Sequence, residues 1–204
     1  MMLEFLDKVN VQVNGVLHVG AHLGEELKYY RSKNIEHIIF VEANPQLIPS
    51  LHRVCNSDPR IKIFNVAAAD TNGSIQLHIT SSTMSSSVLP LKDHSLMYPD
   101  IVHSKSIEVS AKRLDDLFTE YALDRKQYNC LNMDIQGFEL AALRGMPEYL
   151  KYCDVVYTEV NFREMYSGCV LIDELEGELH KYGFTRKHLI DTKRGWGDAL
   201  YTKN

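Results

Sequence analysis

Four short runs of apolar residues, each closing on a glycine or an acid, limit what this chain can fold into. They are GVLHVGA (15–21), HIIFVEA (37–43), YNCLNMD (128–134) and CDVVYTEV (153–160). The runs are continuous rather than alternating, as expected of strands covered on both faces in a parallel sheet. RIKIFNVAA (60–68) adds a fifth. Helical stretches lie between them. GEELKYYRSK follows the first run. NPQLIPSLHRVC follows the second, with Asn44 as N-cap and Pro45 at the first helical position. GFELAALRGMPEYL reads as one helix with Leu140, Leu143 and Met146 on its apolar face, and VLIDELEGELHKYG as another that stops at Gly183. Strand and helix alternate, which predicts a doubly wound α/β sheet with right-handed crossovers. At the end, FTRKHLI (184–190) and DALYTKN (198–204) flank a turn-rich loop and predict an antiparallel hairpin closing one sheet edge. NGSIQLHIT (72–80) predicts an extra strand, and the serine-rich residues 80–106 a long loop.

The 204 residues suit a single domain over residues 1–204. Lys plus Arg is 22 and Asp plus Glu is 27, a formal charge of -5. That balance disfavours a nucleic-acid partner and suits a cationic ligand. Cys55, Cys130, Cys153 and Cys169 form no C-x-x-C pair. They read as reduced, buried thiols in a cytoplasmic protein. No apolar stretch approaches the roughly 20 residues of a membrane helix, so no membrane partner is expected. MMLEFLDKVN is not a signal peptide.

In a doubly wound sheet the ends of the parallel strands face the ligand crevice, so the residues there carry the chemistry. Gly20-Ala21-His22-Leu23-Gly24-Glu25-Glu26 places G-x-x-x-G at a strand-to-helix turn. It serves either close backbone approach to a ligand or packing alone. His22 breaks the G-x-G-x-x-G pattern of dinucleotide binders. Glu25 and Glu26 would repel a pyrophosphate and suit a positive ligand. Glu42 ends the second strand, where an acid can accept both hydroxyls of a ribose or complement a helix dipole. Ala67, Ala68 and Ala69 leave room for a flat base, and Asp70 can accept its amino group. Asp134 ends the fourth strand. Glu159 ends the fifth beside it, and two adjacent carboxylates raise one pKa or share a cation. Glu139 lies in the first turn of a helix. His18 reads as a core residue. His94 and His103 fall in the long loop, either reaching a substrate as base or binder or staying solvated, Tyr98, Tyr166 and Trp196 can stack on a sugar, and Arg186, Lys187, His188, Lys193 and Arg194 read as a solvated face rather than a grip on an anionic substrate.

The ordered set VGAHLGEE (19–26), VEANP (41–45), AAAD-TNG (67–73), SSSVL (85–89), RLDDL (113–117) and LNMDIQGFELAALRGM (131–146) resembles the FkbM-like S-adenosylmethionine-dependent methyltransferases. The likeness spans about residues 15–160. Members typically carry K-I-D-V-E-G-x-E where this chain has Asn132 for Lys and Gln136 for Glu, keeping Asp134, Gly137 and Glu139.

The resemblance implies a class I methyltransferase, Rossmann-like fold with a mostly parallel seven-stranded sheet and an antiparallel C-terminal strand. It implies S-adenosylmethionine as donor, S-adenosylhomocysteine as product, and O-methylation of a sugar hydroxyl on a glycan or glycosylated small molecule. The implied cofactor set is Gly20, Ala21, His22, Gly24, Glu25, Glu42, Ala43, Ala68, Asp70, Ser86 and Asp134. A sugar hydroxyl is a weak nucleophile and calls for a base. Asp134, Glu159 and His103 are the catalytic expectations, with Asp134 as base. The alternative is Mg²⁺ held by Asp134, Glu159 and Asn161. The lack of an Asn-Pro-Pro-Tyr-like motif argues against a nitrogen acceptor. Two rival functions are a non-catalytic cofactor-binding module of the same fold and a nicotinamide-dependent oxidoreductase. The chain stops soon after its closing strand, which suggests a module of a longer polypeptide, fused to a glycosyltransferase.

Overall fold

A computed structural model describes residues 5–203. Residues 1–4, part of the segment read as lacking a signal peptide, and Asn204, the end of the expected last strand, lie outside them. The strands are β1 (Gly15–Val19), β2 (His37–Val41), β3 (Ile61–Phe64), β4 (Ala67–Ala68), β5 (Gly73–Thr80), β6 (His103–Lys112), β7 (Cys130–Met133), β8 (Val155–Asn161), β9 (Phe184–Asp191) and β10 (Trp196–Lys203). The helices are α1 (Leu27–Ser32), α2 (Ile48–Cys55), α3 (His94–Met97), α4 (Leu114–Glu120), α5 (Glu139–Arg144), α6 (Pro147–Leu150) and α7 (Ile172–His180).

Seven strands form one sheet in the order β3-β2-β1-β7-β8-β10-β9. The first five pair in parallel, while β10 pairs antiparallel with both β8 and β9. The closing hairpin therefore does more than border the sheet: β10 is inserted between β8 and the edge strand β9.

Alternate residues of each buried strand enter different cores, because successive side chains leave opposite faces. Leu17, Val19, Ile39, Val41, Leu131 and Met133 pack with Leu117, Phe118, Leu143 and Leu175 from α4, α5 and α7. Val16, Ile38, Phe40 and Cys130 pack on the other face with Phe5, Leu27, Tyr30 and Leu51. Both faces being apolar is why the runs read as continuous. All four cysteines are buried and unpaired. Among the described residues no helix is long and apolar enough to cross a membrane.

Several local expectations change. Asn44 does not cap α2, which begins at Ile48 with Pro49 in its first turn. Asn44 Oδ1 instead accepts the Gln46 N–H at 3.0 Å, closing a turn before the helix. GFELAALRGMPEYL is split into α5 and α6. Met146 precedes a proline and leaves the helical region at φ -135°. Gly145 is pressed so close to β4 that a Cβ there would lie 1.9 Å from the Ala69 carbonyl oxygen. Residues 80–106 are less of a loop than expected. They hold α3 and the start of β6, which joins β4 and β5 in a second, three-stranded sheet. Leu77, Ile79 and Val109 seal this small sheet with Ala67.

Candidate active site

The ends of β1, β2 and β7 meet at one point. Gly20 N–H donates to the Val41 carbonyl at 2.9 Å, and Asp134 N–H to the Val19 carbonyl at 3.0 Å. Gly20 has φ +89°, and a Cβ there would lie 1.8 Å from the Asp134 carbonyl oxygen. Only glycine lets β1 and β7 end side by side.

His22 follows in the left-handed region at φ +47°, uncommon for a residue with a side chain. Its conformation is held from three sides. His22 N–H donates to Glu42 Oε2 at 2.8 Å, its Nδ1 lies 2.7 Å from Glu25 Oε1, and its Nε2 lies 2.8 Å from Thr83 Oγ1. The last contact ties residues 80–106 over the crevice. Glu42 Oε1 also accepts the Asn44 N–H at 2.7 Å. Burial raises the Glu42 pKa against these two bonds. A carboxylate has about four lone-pair sites, so both oxygens can still accept ligand hydroxyls.

Asp134 and Glu159 are joined by a neutral amide. Gln136 Nε2 donates to Asp134 Oδ1 at 2.6 Å and to Glu159 Oε2 at 2.8 Å. The Tyr166 hydroxyl donates to Gln136 Oε1. Ser87 Oγ donates to the Gln136 carbonyl at 2.8 Å, which holds the backbone in its left-handed turn. Glu139 is fully buried outside the crevice. Its Oε1 accepts the N–H groups of Ile135 and Gly137, each at 3.1 Å, bracing the same turn.

A cavity of about 440 Å³ opens over these strand ends. Glu25, Glu26, Glu42, Asp134, Glu159 and Asp198 all line it, and among the described residues no lysine or arginine does. Asp134 lines both cavities and keeps an exposed face, and desolvation within the crevice raises its pKa. Burial raises Glu159 well above the carboxylate range, helped by the Asp134 charge, and Asp198 to about 6. His18 lies beside them, lowered by burial to about 4 and thus neutral. The site is an acid-rich crevice in which Glu159 keeps its proton. Ala67, Ala68, Leu77 and Val88 form its apolar end. A second cavity of about 240 Å³ shares Met84, Asp134, Gln136, Glu159 and Trp196 with the first.

Gly20, Ala21, His22, Glu25, Glu42, Ala43, Ala68, Ser86, Asp134 and Glu159 all line the larger cavity. Four expected residues stand elsewhere. Gly24 does not line it; a Cβ there would meet Leu51 Cδ1 at 2.8 Å, so its turn serves packing on α2. Asp70 is exposed, its carbonyl accepting from Arg113 at 2.9 Å, where the chain turns into β5. His103 is exposed on β6 with Nε2 3.0 Å from Ser106 Oγ, and it lines neither of the two joined cavities. Asn161 lines the smaller cavity but accompanies no ligand set. The Mg²⁺ alternative does not fit: the Gln136 amide occupies the space between Asp134 and Glu159, bonding an oxygen of each. Among the described residues no three His, Cys, Asp or Glu are grouped to hold a metal ion. Glu26, expected with Glu25 to suit a positive ligand, lines the cavity, whereas sequence reasoning missed Gln136 and Asp198 as site residues. Asp198 enters because β10 pairs it with Glu159, a register no local pattern announces.

The sequence matches the Methyltransferase FkbM domain over residues 18–186. The chain belongs to this family. An FkbM domain, rather than a nicotinamide-dependent oxidoreductase, also agrees with a crevice hostile to pyrophosphate. The chain is 26% identical over 161 residues to the 2-O-methyltransferase NoeI of Sinorhizobium fredii. That alignment covers 75% of this chain and 65% of NoeI, so the chain spans just under two thirds of that relative. Among solved structures it is similar to magnesium protoporphyrin IX methyltransferase from Synechocystis with bound S-adenosylmethionine. The TM-score is 0.53, with 8% identity over 98% of this chain and 74% of that one. Aeropyrum pernix fibrillarin, with natively bound S-adenosylmethionine, gives 0.54 and 12%, covering 98% of this chain and 73% of that one. At these identities the likeness is one of fold, that of Rossmann-like methyltransferases.

Proposed function

We propose that this FkbM domain is an S-adenosylmethionine-dependent O-methyltransferase acting on a sugar hydroxyl. One observation carries the reading: six acids, and no lysine or arginine among the described residues, line a cavity at the switch point of the sheet. S-adenosylmethionine, when bound, supplies a methyl group on a sulfonium and brings a second positive charge in its ammonium. The crevice suits it. Glu42 is placed for the ribose hydroxyls, Ala67 and Ala68 for the adenine, and Glu26, Asp134 and Asp198 for the positive end.

The residues then have two tasks. One is positioning, since in-line displacement from a strong electrophile needs mainly correct alignment. The other is to take the acceptor's proton. Asp134 stands at the junction of the two cavities, and its raised pKa makes it a stronger base than an ordinary aspartate. Gln136 holds it in place and keeps Glu159 beside it without adding charge.

The relationship to NoeI, a 2-O-methyltransferase, supports oxygen as the methylated atom. Isothermal titration with S-adenosylhomocysteine tests the first half of the reading, and a high-micromolar titration without heat ends it. Transfer of a labelled methyl group to a panel of sugars tests the second. Binding with no turnover on any sugar would leave a non-catalytic module instead.

A further inference from the structure

The smaller cavity holds polar groups that the chain itself does not satisfy. Asn161 is 1% exposed, and neither its Nδ2 nor its Oδ1 has a hydrogen-bond partner. His94 is 5% exposed, and its Nδ1 is also unpaired. Both side chains line this one cavity. Buried amides and imidazoles are almost always paired, and an exception calls for a cause. The two lie on different elements, the end of β8 and the start of α3, so one local distortion does not explain both.

The surrounding walls are aromatic and fixed. Trp196 Nε1 donates to the Tyr98 hydroxyl at 2.9 Å, and the Arg194 guanidinium lies over the Tyr98 ring at 5.4 Å. Tyr166 is anchored to Gln136 and to the Ser85 carbonyl.

Resting on the methyltransferase reading, we infer that the smaller cavity is the acceptor subsite for one pyranose ring, and that Asn161 and His94 grip adjacent free hydroxyls of that ring. An amide presents one acceptor and one donor edge side by side, the complement of two neighbouring hydroxyls. A small rotation about its soft terminal torsion turns these edges to the cavity. Burial lowers the His94 pKa, so it meets the ring as a neutral imidazole able to accept or donate. Tyr98 and Trp196 offer flat apolar faces to the C–H side of the ring. A flat phenol would stack as well but would leave the amide and imidazole unpaired. An anionic acceptor would meet Asp134 and Glu159. The hydroxyl to be methylated then lies at the shared wall, beside Asp134.

The test uses the whole protein saturated with S-adenosylhomocysteine. Methyl glucoside, galactoside and mannoside, deoxy analogues of each, and catechol are titrated by saturation-transfer NMR. At least one glycoside is expected to bind, with about a tenfold loss on removing either of two adjacent hydroxyls. Asn161→Ala and His94→Phe are expected to weaken that glycoside by about tenfold or more while S-adenosylhomocysteine affinity stays unchanged, which reports an intact fold. Unchanged glycoside affinity in both variants overturns the assignment. Binding of catechol but no glycoside overturns the ring class while the donor-site reading stands. No S-adenosylhomocysteine binding by the unmodified protein overturns the parent reading and this inference with it.

Discussion

The half of the crevice over β1 and β2, proposed for the donor, and the half over β8 and residues 80–106, proposed for the acceptor, are built by different means. In the donor half, main chain decides position. Parallel strands end in register, Gly20 allows them to close up, and Glu42 is fixed by two backbone N–H groups. In the acceptor half, side chains decide it. Tyr166, Gln136, Tyr98 and Trp196 are held by one another, and Asn161 and His94 are held by no hydrogen bond at those atoms. The lesson is a division of labour. Backbone contacts can be supplied by almost any sequence, while side-chain contacts change with each substitution.

The boundary between the halves should respond most strongly. Asp134→Asn is expected to lower kcat by roughly 10²–10⁴-fold, with a much smaller change in S-adenosylhomocysteine affinity. Because a base works deprotonated and desolvation in the crevice raises this carboxyl, activity in the unmodified protein should climb with pH through a limb above the ordinary aspartate range. A pH–rate profile checks this, and the limb should vanish in the variant. Equal losses of kcat and of donor affinity would erase the distinction between the halves.

Within the donor half, Gly20→Ala forces a clash and a strained φ at once, and should cost about 2–4 kcal/mol of stability, read from denaturant midpoints. Beneath it, Glu139 sharpens the electrostatics. Burial lifts its pKa from 4.5 to about 7. The folded chain therefore keeps a proton that the unfolded chain loses, so this contribution is whole below pH 4.5 and is lost as pH rises to about 7. Glu139→Gln keeps an acceptor and carries no charge. It should flatten that slope and gain up to about 3 kcal/mol above pH 7, visible as a pH series of Tm. A smaller effect is expected of Glu42→Gln, about tenfold weaker S-adenosylhomocysteine binding by titration. Least of all, His103→Ala should leave kcat/KM within about a factor of two. A large drop would mean that β6 reaches the acceptor after all.

The same division explains what could be read from the residues alone. Donor-half features are local: an apolar run, then Gly20 or Glu42 or Asp134 at its end. Each is visible within a few residues, and the parallel order follows from their alternation with helices. The acceptor half depends on register and on distant packing. Asp198 and Trp196 reach the cavities only because β10 is inserted beside β8. The strand β6 was legible in principle, since Ile107, Val109 and Ala111 alternate. Its exposed face of serine, glutamate and lysine hid it among the polar residues before it. His103 and Asp70 show the opposite error, where plausible chemistry on a short stretch said nothing about which way the chain would leave the sheet. The position of Asn161 points to a metal ligand, but the Gln136 amide, a neutral substitute for a cation, is not foreseeable from a single Gln.

The inserted strand has a further consequence for how the protein is made. In the large sheet β9 pairs with β10 alone, so it has nowhere to dock until the strand after it has left the ribosome. The wall formed by Trp196 and the carboxyl of Asp198 arrive in that same late step. A nascent chain halted before Trp196 would already own its glycine turn and Glu42, yet would lack a finished sheet and a place for its second reactant. The proposed chemistry would thus wait on the arrival of β10.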